Sequence, residues 1–268
     1  MPRVDAARLD PLLRVALAGD PGPLAAFLRE HSNLPGPRGN LELAGQFAAA
    51  VADLAMEAPE PCWQVVSGLA EVGADQAPTG DPGEFLAFCG TLAAAGFAAD
   101  PRRGPAVWEV LRRAAEDERW RLREAAAQAI PPVARIDRAG TLQVLEDWAA
   151  RGPWLLCRAA AAGLADPPLL QDADWAGAAL RLHQAILARF IAASDRRDAA
   201  YKVLRKGLGY TLSVVVAAAP GEGFALLRRL AGTADRDLAR VLRSNLARGR
   251  LRRAHALEVE SILSLLAG

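Results

Sequence analysis

The stretch WRLREAAAQAI at Trp120–Ile130 sets the pattern of this chain, and WLLCRAAAAGL at Trp154–Leu164 repeats it. Looser copies are YKVLRKGLGYTL, which begins at Tyr201, and LARVLRSNLARG, which begins at Leu238. Each copy has an apolar triplet, a basic residue near its middle, and then small residues against which a second helix can pack closely. The aligned copies are 34, 48 and 38 residues apart. A period of this size is typical of stacked helical repeats.

The composition favours the same architecture. Hydrophobic residues make up 52% of the 268 residues but aromatic residues only 6%, because alanine and leucine fill most apolar positions. Both are strong helix formers, and no run shows the period-two alternation of a half-buried strand. We therefore predict an all-α fold, a right-handed α-solenoid of stacked antiparallel helix pairs. Such an array presents an extended concave surface that usually holds a partner.

The predicted helices are separated by short connectors rich in Asp, Gly and Pro, as antiparallel helix pairs require. The segment ADQAPTGDPG at 74–83 is the best internal linker. It separates divergent N-terminal helical repeats at 1–74 from a repeat array at 84–268 with a basic C-terminal half. Pro131 and Pro132 are expected to bend or end the seventh helix. The fourteen predicted helices begin near residues 5, 24, 41, 61, 84, 105, 118, 139, 153, 174, 196, 223, 235 and 252.

Several classes of protein are not expected. The three cysteines are isolated and no CxxC occurs, so we interpret them as buried thiols in a reducing compartment, with no metal and no cofactor. The opening MPRVDAARLD lacks the apolar core of a signal peptide. No run of about 18 uncharged apolar residues suggests a membrane span. No GxSxG, P-loop, HExxH or dinucleotide fingerprint is present. We expect a cytoplasmic monomer.

The charge is unevenly distributed. Residues 1–100 hold 5 Arg and 13 Asp or Glu, a balance of −8, whereas residues 181–268 hold 16 basic and 7 acidic residues, a balance of +9. Of the 32 basic residues, 30 are Arg. Arginine suits bidentate contacts with phosphate, although the general excess of Ala, Gly, Pro and Arg also fits biased codon usage. The dense arginine run at 228–253 is therefore either a phosphate-binding surface or a solvated outer face.

Two groups of side chains stand out as candidate sites. Trp120, Arg123 and Glu124 are spaced to put an aromatic ring, a base and an acid on one broad helix face. A structural explanation is also available, since repeat proteins often use such an arginine across the repeat to hold an Asp in a neighbouring turn, and such a tryptophan to fill a gap between repeats. Trp154 and Arg158 repeat the spacing one repeat later.

Stacking of the repeats would align Glu124, Arg158, and Lys206 or Tyr210 in a row. Aromatic rings beside a basic groove suit a distorted nucleic acid strand, because rings stack on sugar or base and cations bind phosphate. A solvated helix face is the alternative. The candidate DNA-binding residues are Arg158, Lys202, Arg205, Lys206 and Arg243.

These segments resemble HEAT-like repeats, and more specifically the AlkD-like family of alkylpurine DNA glycosylases and their inactive relatives, over about 108–249. ERWRLREAA is similar to the segment in which an aromatic residue precedes a carboxylate by four positions, here Trp120 and Glu124. GPWLLCRAAAAGL resembles the segment with a phosphate-facing arginine, here Arg158. YKVLRKGLGYTLSVVVAAAP is the strongest match, and its aromatic residue is Tyr210.

The resemblance implies a chemistry that needs few residues. An N3- or N7-alkylated purine is cationic and already a good leaving group, so a carboxylate near the sugar is the main requirement, with aromatic faces to attract the cation. Glu124 would be the catalytic carboxylate, and Trp120 and Tyr210 the aromatic faces. The active members have Asp where this chain has Glu124 and Trp where it has Tyr210, so the resemblance leaves an active enzyme and an inactive relative as alternatives.

The sequence thus predicts a DNA-binding repeat protein, either a monofunctional glycosylase for alkylated purines or an inactive relative. A non-enzymatic scaffold that binds a protein partner on its concave face is the alternative. Its acidic N-terminal half and basic C-terminal half would then orient the partner.

Overall fold

The computed structural model describes residues 8–267, and these residues form fifteen helices and no strand, which confirms the all-α prediction. Short 3₁₀ turns occur at Ala95–Phe97 and Leu169–Gln171. None of the described helices is both long and apolar enough to cross a bilayer. The helices are Leu9–Leu17 (α1), Gly22–Glu30 (α2), Leu41–Ala55 (α3), Pro59–Ala70 (α4), Glu84–Ala94 (α5), Gly104–Glu116 (α6), Trp120–Ile136 (α7), Arg138–Arg151 (α8), Trp154–Leu164 (α9), Ala173–Ala192 (α10), Ala199–Ala218 (α11), Pro220–Ala231 (α12), Arg236–Leu246 (α13), Gly249–Arg252 (α14) and Ala256–Leu265 (α15).

Short polar side chains fix where several helices begin. Asn40 accepts a hydrogen bond from the Leu43 amide, and Asp172, Asp198 and Asp235 cap α10, α11 and α13 in the same way. Such caps satisfy the amides that the first turn of a helix leaves without a partner. Proline stands in the first turn of α2, α4, α6 and α12, where its missing amide costs nothing.

The helix boundaries differ from the predicted ones at a few places. Pro131 and Pro132 do not end the helix, because α7 continues through them to Ile136, and Ile130 and Val133 on either side of the pair are packed into the core; a bend at this pair stays a prediction. The cap at Asp198 starts α11 after the predicted residue 196. The four-residue helix α14 was not expected. Residues 5–7 of the first predicted helix lie outside the described residues.

The chain divides into two compact units, one up to Asp137 and one from Arg138. In the first unit α5 contacts both α3 and α7, while α4 packs on α3 and α5, and α6 packs on α5 and α7. In the second unit α11 contacts both α9 and α13, while α10 packs on α8, α9 and α11. The predicted linker at 74–83 lies within the first unit, and the predicted division at this segment stays a prediction.

Gly90 permits a close contact between two helices of the first unit. A Cβ atom at this position of α5 would lie 2.4 Å from the Ala70 amide nitrogen and 2.7 Å from the Val66 carbonyl oxygen. Both atoms belong to the backbone of α4, so neither can move aside cheaply. The two helices can therefore pack backbone against backbone only because residue 90 has no side chain.

Buried arginines hold the loops of the first unit. Arg119 is only 2% exposed and makes two hydrogen bonds to the Asp117 carboxylate. It also donates to the carbonyls of Ala77 and Val72, at 3.1 and 2.9 Å. Arg121 pairs with buried Glu84 at 3.1 Å. The segment predicted as a linker is therefore fastened to α7 through its backbone.

Neutral polar side chains join the helices of the second unit. Asn245 of α13 accepts from the Ser213 amide at 2.7 Å and donates to the Leu208 carbonyl of α11 at 2.8 Å. Ser244 donates to the Gly209 carbonyl at 2.8 Å. A Cβ at Gly209 would lie 3.3 Å from the Ser244 hydroxyl. Glycine at position 209 therefore lets α13 pack closely against α11.

A buried histidine links α10 to α11. The Nδ1 atom of His183 lies 2.8 Å from the Ala179 carbonyl oxygen and its Nε2 atom lies 3.0 Å from the Thr211 hydroxyl. Because a carbonyl only accepts, Nδ1 carries the proton and Nε2 accepts from Thr211 in the neutral ring. Burial lowers the pKa of His183 to about 4, partly offset by the bond to Ala179.

Candidate functional site

The aromatic residue and the carboxylate of the first predicted group lie one turn apart on α7, in the first unit. Trp120 is the first residue of the helix and is 42% exposed, whereas Glu124 is half-buried. The guanidinium carbon of Arg121 lies 4.5 Å from the centroid of the Trp120 ring. Since Arg121 is held by Glu84 and by the Gly36 carbonyl, the indole ring already carries a fixed cation.

Arg123, the base of the same group, fastens the loop before its helix. It donates to the carbonyl oxygens of Asp117 and Glu118 at 2.6 and 2.8 Å. These contacts give Arg123 a structural role, although the bonds go to backbone carbonyls of the preceding loop and not to an Asp side chain across the repeat. Trp120 is thus the exposed member of the group, whereas Glu124 and Arg123 are half-buried.

Three residues of α11 form an exposed line in the second unit. Lys202, Lys206 and Tyr210 follow one another at four-residue intervals, which places them on one helix face, and all three are exposed. Tyr210 is 43% exposed. Within the described part of the chain neither lysine side chain takes part in an ion pair or a hydrogen bond.

Arg158 lies beside this line. A Cβ at Gly207 would be 3.2 Å from the Cγ atom of Arg158, so the stem of this side chain crosses α11 next to Lys206. Glycine at 207 therefore makes room for an arginine of α9.

Two arginines that follow α13 converge on Tyr210. The guanidinium carbons of Arg248 and Arg250 lie 5.8 and 5.4 Å from the centroid of the Tyr210 ring. Neither arginine has a carboxylate partner among the described residues. The dense arginine run at 228–253 includes Arg248 and Arg250, but neither was among the candidate DNA-binding residues predicted from the sequence.

Two other predicted DNA-binding residues are engaged inside the second unit. Arg205 pairs with Asp237 of α13 at 2.5 Å and its side chain is only 31% exposed. Arg243 is exposed but donates to the Leu266 carbonyl. Arg205 thus contributes to the α11–α13 interface, and less of its charge faces outward than the sequence suggests.

Trp154 has a packing role. Its ring meets the Tyr201 ring edge-on at 5.7 Å, and the Arg189 guanidinium carbon lies 5.0 Å from its centroid. Arg189 also donates to the carbonyls of Ala149 and Gly152, so the group closes the α8–α9 turn. The two tryptophans of the repeated motif therefore differ, because Trp120 is exposed at a helix start and Trp154 is half-buried.

The second unit thus brings together Arg158, Lys202, Lys206 and Tyr210, with Arg248 and Arg250 around the tyrosine. We call these six residues the basic face. Trp120 and Glu124 belong to the first unit, and their alignment in a row with the basic face stays a prediction.

Other features of the molecule offer less chemistry. Cys62, Cys89 and Cys157 are buried, and burial raises the pKa of each thiol. No group of three or more His, Cys, Asp or Glu residues suited to a metal ion occurs among the described residues. A cleft of roughly 450 Å³ in the first unit is lined mainly by apolar residues of α1, α2 and α4, and none of the predicted site residues lines it.

No known family model matches the sequence, and no curated protein is significantly similar to it. The resemblance to AlkD-like glycosylases therefore stays a prediction, carried by the short segments quoted above.

Proposed function

We propose that the second unit binds duplex DNA through the phosphates of its backbone, with the basic face as the contact surface. The observation that carries the proposal is the exposed line of Lys202, Lys206 and Tyr210, flanked by Arg158. Its lysines have no partner among the described residues, so their charge is available to a ligand. Lysine and arginine that neutralise phosphates release counterions, and this release drives non-specific DNA binding.

The net charge supports the same partner. Residues 138–268 hold 19 basic and 12 acidic residues, a balance of +7, while residues 1–137 hold 13 basic and 19 acidic residues, a balance of −6. A polyanion is attracted to the second unit and repelled by the first. The proposal includes HEAT-like repeats in a right-handed solenoid. The contacts of α5 with α3 and α7, and of α11 with α9 and α13, are those expected of stacked helix pairs. We also propose that the protein is a cytoplasmic monomer.

We further propose that this DNA binding proceeds without base excision. The glycosylase hypothesis needs the Trp120 and Tyr210 rings to attract a cationic base. Both rings already have arginine guanidinium groups within cation–π distance. A cationic purine would meet these resident charges at each ring. The longer Glu124 side chain, in place of the Asp of the active family members, also argues against base excision.

The test of DNA binding is a fluorescence-anisotropy titration of a labelled duplex over a series of salt concentrations. Four phosphate contacts would give a slope of log K against log salt near −3.6, a loss of about 100-fold between 50 and 200 mM. Replacing both Lys202 and Lys206 by Gln should reduce the slope by about 2. Arg181→Gln on α10 is the matched control and should leave the slope unchanged. Salt-independent binding, or binding to anionic vesicles but not to DNA, would refute the proposal.

The test of catalysis is release of 7-methylguanine or 3-methyladenine from methylated DNA. We expect the wild-type chain and Glu124→Gln to release base at the same background rate. Release by the wild-type chain that Glu124→Gln abolishes would instead establish a glycosylase. A scaffold function would appear as a stoichiometric protein partner in a pull-down, together with no retention of DNA.

A further inference from the structure

The surroundings of Tyr210 are unusual for an aromatic residue that is meant to meet a base. Two guanidinium carbons lie within 6 Å of its ring centroid, and both arginines come from one short segment after α13. Cations are attracted to an aromatic face, but two of them at one ring also repel each other. The Tyr210 ring therefore holds two positively charged guanidinium groups near each other.

The neighbouring acids do not balance these charges. Asp235 and Asp237, the acids at the start of α13, are bound by Arg196, Arg205 and Arg240. Arg248 and Arg250 have no carboxylate partner among the described residues, and Lys206 adds a further exposed charge one turn from Tyr210. A local surplus of positive charge with no carboxylate partner among the described residues suits an anion with several oxygen atoms.

The backbone that carries the two arginines is anchored. Leu251 lies between Arg250 and Arg252 and is fully buried, and α14 packs on α11. Arg253 donates back to the Gly249 carbonyl at 3.2 Å. Just before this segment, Ser244 and Asn245 fasten α13 to the backbone of α11 on both sides of Tyr210. The arginines are thus held near the ring by the fold itself.

We infer that Tyr210, Arg248 and Arg250 form a clamp for a single phosphate, in which the ring positions the two guanidinium groups and does not stack on a base. The ligand is a phosphodiester of the duplex backbone, so the inference rests on the proposed function. Arginine is suited to this task because its planar fork makes two parallel hydrogen bonds to phosphate oxygens. Tyr210 is a positioning residue in this arrangement.

The experiment compares salt slopes, because a phosphate contact contributes to the slope and stacking on a base contributes little. Loss of both arginines in the double variant Arg248→Gln, Arg250→Gln should reduce the slope by about 0.9, the contribution of one phosphate. Tyr210→Leu should give the same reduction, and adding it to the double variant should cause no further change. Tyr210→Phe keeps the ring and should behave as the wild type, as should the control Arg181→Gln.

Each outcome separates this inference from the proposed function. If the wild type binds DNA with a steep slope and Tyr210→Leu weakens binding without changing the slope, the ring stacks on a base and the clamp is wrong. If the wild type does not bind DNA, the proposed function fails, and the clamp is then judged with inorganic phosphate. In that titration the guanidinium NMR signals of Arg248 and Arg250 should shift together in the wild type and Tyr210→Phe but not in Tyr210→Leu. No shift would overturn the clamp as well.

Discussion

The two units differ in where they place arginine. In the first unit Arg103, Arg119 and Arg121 are almost fully buried and bind carboxylates and backbone carbonyls. In the second unit the buried polar residues among 138–267 are all neutral, namely Thr141, His183, Thr211, Ser213 and Asn245. Arg248 and Arg250 of the basic face are exposed and have no carboxylate partner among the described residues. The comparison shows that the number of arginines in a region does not tell whether they serve folding or binding.

The largest loss of stability should follow from replacing Arg119. Arg119→Ala leaves the Asp117 carboxylate and two carbonyls of the 71–83 segment without their donor, so we expect a loss of roughly 3–5 kcal/mol in the free energy of unfolding. Urea unfolding combined with hydrogen exchange should place the loss in the first unit. Arg119→Lys is the matched control and should recover only part of it, because an ammonium group cannot span the same acceptors. An unchanged unfolding midpoint would contradict the comparison.

The second unit should instead be sensitive to acid through His183. Its folded pKa of about 4 lies below the value of about 6.5 expected in the unfolded chain, so the unfolded chain binds a proton between these values and the folded chain does not. Stability is therefore full above about pH 6.5 and falls as the pH decreases towards 4, by ~3 kcal/mol. In the variant His183→Gln the free energy of unfolding should depend much less on pH between about 4 and 6.5. A wild-type curve that is already flat there would show that the ring can be protonated in place.

A smaller loss in the free energy of unfolding is expected when the side-chain hydrogen bonds between α11 and α13 are removed. Asn245→Ala removes a donor and an acceptor from two buried backbone groups, which should cost about 2 kcal/mol. Ser244→Ala removes one hydrogen bond and should cost about 1 kcal/mol. Thermal unfolding of the two variants side by side measures the difference. Equal losses would mean that the Asn245 amide is not satisfied mainly by α11.

The smallest effect on stability should come from the basic face. Arg248→Ala and Arg250→Ala remove exposed side chains that bind no carboxylate, so the free energy of unfolding should change by less than about 0.5 kcal/mol. Circular dichroism melts of both variants provide the measurement. A large loss at either position would mean that these arginines serve the fold, as Arg119 does.

The sequence predicts the helices of this fold well, because alanine- and leucine-rich segments between Asp, Gly and Pro leave few alternatives. Most predicted helix starts lie within a few residues of the observed ones. Because α7 continues through Pro131 and Pro132, core packing outweighs the tendency of proline to end a helix there. Buried arginines could not be predicted, since nothing local distinguishes Arg119 from Arg113. The same limit applies to the candidate site, because the approach of Arg248 to Tyr210 depends on how α13 packs against α11.

The contact at Gly90 has a consequence for the evolution of the chain. Even the smallest side chain at this position would meet the α4 backbone at 2.4 Å, so selection for folding should remove every substitution there, whatever the function. Gly45 and Gly68, where a Cβ would meet nothing within 4 Å, are free to drift to alanine. Homologous sequences should therefore keep glycine at 90 and lose it at 45 and 68. This contrast distinguishes true descent from the chance alignment of alanine-rich helices.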